Sequence, residues 1–194
     1  CSMDEIVDFS YDAVHDIDPG SNHIAIDPGE QLTMEECLNA ILIRSANEVS
    51  FAVAEHISGT TWQDFASIMN ERAKELGCVD SNFVNPNGLP NENHYTSAYD
   101  LAMIGRAFFA NEALCKMTMT HMLHISPSER QPDDIMEVNK MELIPGGKYA
   151  YPYLVGCKTG YTDVARSTLV SCAEKDGMKL ICVVMKDENP NYYE

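Results

Sequence analysis

Two short segments of this chain combine side chains that can donate protons, accept them and hold a charge. One is the triplet S-A-N at residues 45–47, and the other is the triplet K-T-G at residues 158–160. A hydroxyl and an amide offer both donors and acceptors, and the ammonium of a lysine can hold an anion. Each triplet also has an ordinary structural explanation, because serine and asparagine cap helices and a lysine often marks the point where a strand meets solvent. The elements around them therefore decide whether they form a site.

The composition restricts the classes of protein to which the chain can belong. Of its 194 residues 45% are apolar, which is enough for a sizeable core in one large domain or two lobes. Acidic residues outnumber basic ones by 30 to 13, and the formal charge of −17 repels phosphate backbones, so we expect no nucleic-acid partner. No apolar run approaches the roughly 18 residues of a membrane span, and the first residues do not have the pattern of a signal peptide.

The cysteines and histidines give no reason to expect a metal or a cofactor. The seven cysteines are scattered without a C-x-x-C pair, which argues against a zinc knuckle or a thioredoxin-like site. Because their number is odd, at least one thiol is free. His121 and His124 lie in the stretch KMTMTHMLHIS, whose period of two predicts a strand that points the two rings to opposite faces. We therefore expect neither a metal site nor a cofactor.

The first part of the chain has mainly helical periodicity. A capping box at Thr33 and Glu36 predicts a helix that ends near Arg44, and a second helix follows the S-A-N triplet and is stopped by Gly59. Two more helices are predicted in WQDFASIMNERAKELG and LAMIGRAFFANEAL, the latter opened by a capping box of serine and aspartate. The segment NFVNPNGLPNENH between them is rich in Asn, Pro and Gly and is predicted to be a loop.

Extended segments are predicted at both ends of this helical region. EIVDFS and SNHIAI precede it, and the pattern becomes extended again from Cys115. The last third contains three predicted strands, YPYLVGCK, STLVSCA and MKLICVVM, with a hairpin at EKDG, so K-T-G falls where the first of these strands ends. The chain is thus predicted to be a single α+β domain, with a mainly helical lobe over residues 1–114 and an antiparallel sheet over residues 115–194.

Three long blocks around the triplets resemble one family of serine peptidases. An S-x-N in a helical lobe followed by a K-T-G in a sheet is the order found in penicillin-binding serine enzymes. The sequence resembles the low-molecular-weight penicillin-binding proteins that are D-alanyl-D-alanine carboxypeptidases. The resemblance lies in three blocks: IDPGEQLTMEECLNAILIRSANEVSFAVAEHISG, NFVNPNGLPNENHYTSAYDLAMIGRA and VGCKTGYTDVARSTLVSCAEKDGMKLICVVM. The likeness covers nearly the whole chain, and it implies the fold shared by β-lactamases and penicillin-binding proteins.

The resemblance assigns catalytic roles to three residues. The hydroxyl of Ser45 would join the proton relay to the leaving amine, and the amide of Asn47 would hold the peptide carbonyl of the substrate. Lys158 would supply positive charge to an anionic peptide held against the edge of the sheet.

The residues after Lys158 are assigned to substrate binding by the same resemblance. Thr159 would hydrogen-bond the substrate, and Gly160 would let a backbone approach closely because a Cβ there would crowd the ligand. The N–H of Tyr161 would be one of two oxyanion-hole donors. The family often has histidine at that position, and also just before the glycine of its G-L loop, where this chain has Asn87, to which we assign no catalytic role.

The nucleophile of the family has no counterpart in this sequence. In the family it is the serine of an S-x-x-K on the first helix, and no serine here is followed three residues later by a lysine. The opening CSMDEIVDFS resembles family sequence just after that helix, and the family's arginine for the terminal carboxylate has no match near the closing KDENPNYYE. We therefore expect a fragment, truncated at both ends, rather than a natural pseudoenzyme. Loss of such a nucleophile costs on the order of 10⁴ to 10⁶ in rate, so the chain alone is expected to be inactive.

The expected function is that of a serine-type D-Ala-D-Ala carboxypeptidase of peptidoglycan maturation, which acts through an acyl-enzyme and is inhibited by β-lactams. A class A β-lactamase is an alternative that shares both triplets, but those enzymes have S-D-N where this chain has S-A-N. A second alternative is a non-catalytic module that binds peptidoglycan stems or β-lactams through Asn47, Lys158 and Thr159.

The resemblance also implies partners and a location. The partners would be a peptidoglycan stem peptide ending in D-Ala-D-Ala and the β-lactams. The parent protein would act outside the cytoplasmic membrane, at the cell wall or the outer face of the membrane, with a signal and an anchor that are not in this sequence. Without the nucleophile helix, the helices that contain Leu38–Ile41 and Phe65–Ile68 would expose apolar surface, which predicts self-association.

Overall fold

The computed structural model describes residues 1–188, and in that range it contains six α-helices and seven β-strands. This content confirms the predicted α+β class. Part of the closing segment on which the expected truncation rests, residues 189–194, lies outside the described residues. The elements follow the chain in this order: β1 (Ile6–Asp8), α1 (Tyr11–His15), β2 (Gln31–Thr33), α2 (Met34–Arg44), α3 (Asn47–Ser58), α4 (Trp62–Glu75), α5 (Ala98–Phe108), α6 (Glu112–Thr118), β3 (Met122–Ile125), β4 (Ile135–Val138), β5 (Leu154–Thr162), β6 (Arg166–Lys175) and β7 (Met178–Asp187).

The strands form three antiparallel sheets: β1 with β2, β3 with β4, and a three-stranded sheet in the order β5-β6-β7. The predicted hairpin at EKDG is confirmed. Its two-residue loop consists of Asp176 at φ 52° and Gly177 at φ 78°, the positive values that a tight Asp-Gly hairpin turn requires.

The helices around the S-A-N triplet begin and end where the local sequence predicts. Thr33 caps α2, since its hydroxyl accepts from the N–H of Glu36 while the Glu36 carboxylate accepts from the N–H of Thr33. The helix ends at Arg44. Helix α3 ends at Ser58, and Gly59 with a φ of 70° forms its left-handed C-cap.

Three local predictions are corrected by the structure. The extended pattern does not begin at Cys115, because Asn111 caps a further helix, α6, by accepting from two backbone N–H groups of its first turn. SNHIAI is not a strand, and the N–H of Ile24 donates to the side chain of Glu48 instead. Ser97 does cap α5, but the carboxylate of Asp100 accepts from the backbone at residues 79 and 80 and from a serine hydroxyl rather than completing the box.

The described chain divides into two compact units that interleave along the sequence. The first unit contains Cys1–Met69, Val84–Gly88 and Thr120–Asn139, and the second contains Asn70–Phe83, Leu89–Met119 and the residues from Lys140 onward. The predicted division into lobes at residues 114 and 115 stays a prediction.

Each unit has its own buried core, which positions one of the two triplets. In the first unit α2 packs on α3 and on both two-stranded sheets, and its core includes Ala46 of the triplet itself, which is fully buried. In the second unit α5 packs on β6 and β7, and α6 packs on β5. Gly156 lets β5 approach α6 closely, because a Cβ there would lie 2.8 Å from the hydroxyl of Thr118 and 3.1 Å from the ring of Phe109.

Candidate active site

The six residues predicted to form the site divide between the two units, and each group is described in the unit to which it belongs. The structure brings Ser45 and Asn47 together at the junction of α2 and α3. It brings the other four together on β5, where they are consecutive: Lys158, Thr159, Gly160 and Tyr161.

Ser45 is held in an unfavourable backbone conformation. It is the C-cap of α2 with φ 58° and ψ 45°, and its N–H donates to the carbonyl of Ile41 at 3.1 Å. A left-handed conformation costs a residue with a Cβ roughly 1 kcal/mol, so glycine is the usual residue at such a cap. The fold therefore accommodates a serine at this position at a cost in stability, as it does at four other non-glycine residues with positive φ among residues 1–188: Ala25, Arg166, Asp176 and Lys186.

Asn47 fixes the start of α3 through three hydrogen bonds. Its backbone N–H and its side-chain Nδ2 both donate to the carbonyl of Asn22, at 2.9 and 2.8 Å, and Nδ2 also lies 3.5 Å from the carbonyl of Ser45. Only 7% of Asn47 is exposed. The amide nitrogen thus closes the turn that presents Ser45, a role that the sequence did not indicate.

Two further side chains secure this turn and were not found from the sequence. Arg44 donates to the side-chain oxygen of Asn22 at 2.9 Å and forms an ion pair with Glu137 at 3.2 Å. Glu48 is 1% exposed, and one of its oxygens accepts from the N–H of Ile24 at 2.7 Å. Burial raises the pKa of Glu48, and the hydrogen bond from Ile24 opposes that rise. The one signal in the sequence was an acidic residue directly before the apolar stripe of α3.

Replacing the Asn47 amide by a carboxylate is expected to lower the stability of the chain. In Asn47→Asp a carboxylate replaces the donor and faces the carbonyls of Asn22 and Ser45, so we expect the free energy of unfolding of this chain to fall by about 1 to 3 kcal/mol in urea titrations. The matched control is Asn39→Asp. The Asn39 amide also donates to a backbone carbonyl, but at a partly exposed position of α2, so this variant is expected to change stability by about 0.5 kcal/mol or less. Equal stability of the two variants would contradict this role of Asn47.

The K-T-G triplet lies inside β5 and not at its end, which corrects the sequence prediction. The strand continues to Thr162, because β6 pairs with it along the whole triplet, with Lys158 opposite Val170 and Gly160 opposite Thr168. Among residues 1–188, β5 pairs with β6 on one side and with no strand on the other, so it is an edge strand of its sheet.

Lys158 carries a charge that is partly removed from water. Its neighbour Cys157 is 1% exposed and faces a buried cluster, so the alternation of the strand turns Lys158 to the opposite face. Its ammonium donates to the carbonyl of Thr159 at 2.8 Å. Burial lowers the pKa of Lys158 to about 8, so the group is still mainly protonated at neutral pH but loses its proton within the range in which enzymes are assayed. Burial raises the pKa of Cys157 to about 12, which keeps the thiol neutral.

Gly160 leaves room for a side chain of the neighbouring strand. A Cβ at this position would lie 2.6 Å from the hydroxyl oxygen of Thr168, which donates to the Gly160 carbonyl at 3.1 Å. The structure thus gives a reason for this glycine that is separate from the predicted approach of a ligand. Tyr161 follows with 64% of its surface exposed, and it borders a small depression lined by Tyr161, Arg166, Ser167, Asp187 and Glu188.

Comparison with known proteins identifies the family. The family model of the S11 peptidases, described as D-alanyl-D-alanine carboxypeptidase, matches residues 1–189. The chain belongs to this family. The recognition made from the three sequence blocks is thereby confirmed.

Individual relatives agree with the family match. The chain is 39% identical over 176 residues to the D-alanyl-D-alanine carboxypeptidase DacF of Bacillus subtilis, covering 91% of this chain and 43% of that protein. It resembles the crystal structure of a D-alanyl-D-alanine carboxypeptidase from Mycobacterium tuberculosis H37Rv with a TM-score of 0.85 and 26% identity, covering 100% of this chain and 71% of that one. For penicillin binding protein 6B of Escherichia coli the TM-score is 0.82 at 25% identity, covering 98% of this chain and 58% of that one.

These neighbours confirm the predicted fold of penicillin-binding proteins and the family's chemistry, which is that of a serine D-Ala-D-Ala carboxypeptidase. The chain spans less than half the length of the B. subtilis relative. No helix within residues 1–188 is both long enough and apolar enough to cross a membrane.

Proposed function

We propose that this chain supplies the S-x-N and K-T-G motifs of a serine-type D-Ala-D-Ala carboxypeptidase that trims peptidoglycan stem peptides. The observation that carries the proposal is Lys158, a partly buried ammonium on an edge strand within a K-T-G triplet of this family. A sheet has no structural need for a desolvated cation at this point, whereas a substrate that ends in a carboxylate does need one.

The edge of β5 fits the binding of an extended peptide. A peptide added to a sheet edge gains main-chain hydrogen bonds along the strand, and side chains near the edge add specificity. Thr159, Gly160 and Tyr161 lie beside Lys158 on this edge strand, and Gly160 and Tyr161 are exposed. We assign the peptide backbone of the stem to this edge, its terminal carboxylate to Lys158 and Thr159, and one oxyanion-hole hydrogen bond to the N–H of Tyr161.

Ser45 and Asn47 are assigned to the leaving group and to the peptide carbonyl. The hydroxyl of Ser45 would pass a proton to the amine of the departing D-alanine. Nδ2 of Asn47 donates to the Asn22 carbonyl, so the contact with the substrate requires one of its two hydrogens to be shared with the ligand or released from the turn. That requirement makes Asn47 a residue that both positions Ser45 and binds the substrate.

The reaction needs a nucleophile that this sequence does not contain as an S-x-x-K. A serine of that motif would attack the carbonyl carbon of the penultimate D-alanine, and the C–N bond would break as the amine takes its proton through Ser45. Water would then hydrolyse the ester and regenerate the serine. β-Lactams would form a slow ester with the same serine. The isolated chain is therefore expected to be inactive.

The partners and place of action follow from the same proposal. They are a stem peptide ending in D-Ala-D-Ala and the β-lactams, met outside the cytoplasmic membrane. Self-association also stays a proposal. In the described structure Ile68 of α4 is 40% exposed and supports self-association, whereas Leu38 and Ile41 of α2 are partly buried against the core of the first unit and support it less.

A second candidate is a non-catalytic module that binds stems or β-lactams, and the lack of an S-x-x-K in the sequence favours it. Covalent labelling separates the two. We would incubate this chain, and an extended chain that adds an S-x-x-K helix of the family ahead of Cys1, with a fluorescent penicillin and measure the intact mass.

If the chain is part of a hydrolase, the mass of the extended chain alone increases by one penicillin, and this increase disappears when the serine of S-x-x-K is replaced by alanine. A folded extended chain that binds penicillin reversibly without a mass increase would overturn the hydrolase in favour of the binding module. A label on this chain itself would show that its nucleophile lies elsewhere in the sequence.

A further inference from the structure

A second group of reactive side chains lies at the other end of α3, away from the S-A-N turn. Cys1, Glu5 and His56 each offer one ligand atom, and these atoms all lie within 4.8 Å of one another. Among residues 1–188 this is the one group of three or more such side chains with that spacing. We propose that Cys1, Glu5 and His56 bind a zinc ion.

The positions of the donor atoms fit a zinc site. Zinc takes sulfur, nitrogen and oxygen ligands at roughly 2.0 to 2.3 Å in a tetrahedron, which places neighbouring ligand atoms about 3.5 Å apart. Nε2 of His56 and Oε2 of Glu5 are already 3.2 Å apart. Cys1 is exposed, so its sulfur can move the last ångström toward the other two ligands. Three protein ligands leave the fourth position to water.

The carboxylate of Glu5 is oriented in the way that metal ligands usually are. Its Oε1 accepts from the N–H of Ser2 at 3.0 Å, which leaves Oε2 directed at His56. The Glu5 carbonyl accepts from the N–H of Met34 at 2.8 Å, and the Glu5 N–H donates to the Ser2 carbonyl. Hydrogen bonds of this kind fix the Glu5 ligand before the metal arrives, and the two with Ser2 anchor the residue that follows Cys1.

The charge of the chain favours a cation here. The formal charge is −17, and the residue before Glu5 in the sequence, Asp4, is a further acid. A neutral imidazole can bind a metal through Nε2, and a bound metal displaces the proton of the Cys1 thiol, so that the ligand is a thiolate. A soft sulfur donor together with imidazole favours zinc over magnesium or calcium, which prefer oxygen ligands.

The zinc site is distinct from the candidate active site. His56 follows Asn47 by nine residues of the same helix, a rise of about 13 Å. Bound zinc would tie the first residues of the chain to α3. No metal site is expected from the sequence, because the cysteines form no C-x-x-C pair and the strand pattern points His121 and His124 to opposite faces; in the structure His124 lies 2.7 Å from Asp134. Nothing in this proposal depends on the peptidase function.

The test is a titration of Zn²⁺ against a chromophoric chelator, under reducing conditions, on the chain with one residue added before Cys1 so that the ligand is the thiol and not a terminal amine. We expect one zinc per chain, and binding weaker by about 100-fold or more in Cys1→Ser, Glu5→Gln and His56→Ala. The matched controls are Cys182→Ser and His15→Ala, which remove an exposed thiol and an exposed imidazole elsewhere and are expected to leave the affinity unchanged.

A spectroscopic readout identifies the ligands directly. Co²⁺ in place of zinc is expected to give a thiolate charge-transfer band that disappears in Cys1→Ser and persists in Cys182→Ser. The proposal is overturned if the chain does not compete with the chelator, or if the three ligand variants bind zinc as tightly as the controls do. Penicillin labelling of the extended chain is a separate measurement, and its outcome leaves this result unchanged.

Discussion

Replacing Lys158 by methionine is expected to slow penicillin labelling of the extended chain about 100-fold while making the fold of this chain more stable. Methionine keeps much of the length of the side chain but removes the charge that holds an anionic ligand. Loss of one well-placed electrostatic contact of this kind typically costs on the order of 10² to 10³ in rate. The two measurements are the second-order rate of labelling and the free energy of unfolding in urea.

The gain in stability follows from the direction of the pKa shift. Burial lowers the pKa of Lys158 from its ordinary value near 10.5 to about 8, so the folded state holds the proton less tightly than the unfolded state does. Below pH 8 both states are protonated and folding carries the full cost of burying the charge, and that cost disappears as the pH rises toward 10.5. At about 1.4 kcal/mol per pKa unit the cost at pH 7 is up to about 3 kcal/mol, and Lys158→Met removes it.

Lys158→Arg is the control for the charge. Because arginine stays protonated, the labelling rate of this variant is expected to be flat between pH 7 and 9.5, whereas the rate of the wild-type extended chain falls as the pH rises through about 8. A wild-type profile that is flat over the same range, or a Lys158→Met variant that is less stable than wild type at pH 7, would contradict this account of Lys158.

Ser45→Gly is expected to separate stability from activity in the same way. Glycine adopts the φ of 58° without strain, so this variant should be more stable than wild type by about 0.5 to 1 kcal/mol. The hydroxyl is lost, and general acid–base groups contribute about 10² to 10⁴ in rate, so labelling of the extended chain should fall by at least about 100-fold.

Ser45→Ala is the matched variant, since it removes the same hydroxyl but keeps a Cβ in the left-handed conformation. It should lose as much labelling as Ser45→Gly without the gain in stability. If Ser45→Gly labelled at the wild-type rate, Ser45 would be a helix cap and not part of a proton relay.

The structure around Ser45 and Lys158 adds support for function that the letters of the two triplets do not supply. Serine in a left-handed cap and a desolvated ammonium on an edge strand each lower the stability of the fold. Neither residue is the one that local structure or packing would favour at its position. The proposal that the two triplets form a site gives a reason for both costs, and the Ser45 and Lys158 variants test it.

The parts of the structure that could be predicted are those that depend on neighbouring residues. The capping box at Thr33, the C-cap at Gly59 and the hairpin at Asp176 each follow from a few adjacent residues, and all three are confirmed. Two other predictions failed because a distant partner decided the outcome. Asp100 turned to the backbone at residues 79 and 80, and β5 continued past Lys158 because β6 pairs with it.

In the candidate site, too, features that depend on neighbouring residues could be predicted and those that depend on distant residues could not. The types and order of Ser45, Asn47 and Lys158 could be read from the sequence. The residues that hold the S-A-N turn could not, because Asn22 and Ile24 reach it from more than twenty positions away, through hydrogen bonds to Asn47 and Glu48. The burial that lowers the pKa of Lys158 likewise arises from tertiary packing and has no signal in K-T-G.

The most direct test of the central claim is the release of D-alanine from a peptide ending in D-Ala-D-Ala by the extended chain, with a peptide ending in D-Ala-L-Ala as the control. The account predicts release from the first peptide only, with little or none from this chain alone and a loss of about 100-fold in the extended Lys158→Met variant. A folded extended chain that takes up penicillin covalently but releases no D-alanine would contradict a carboxypeptidase.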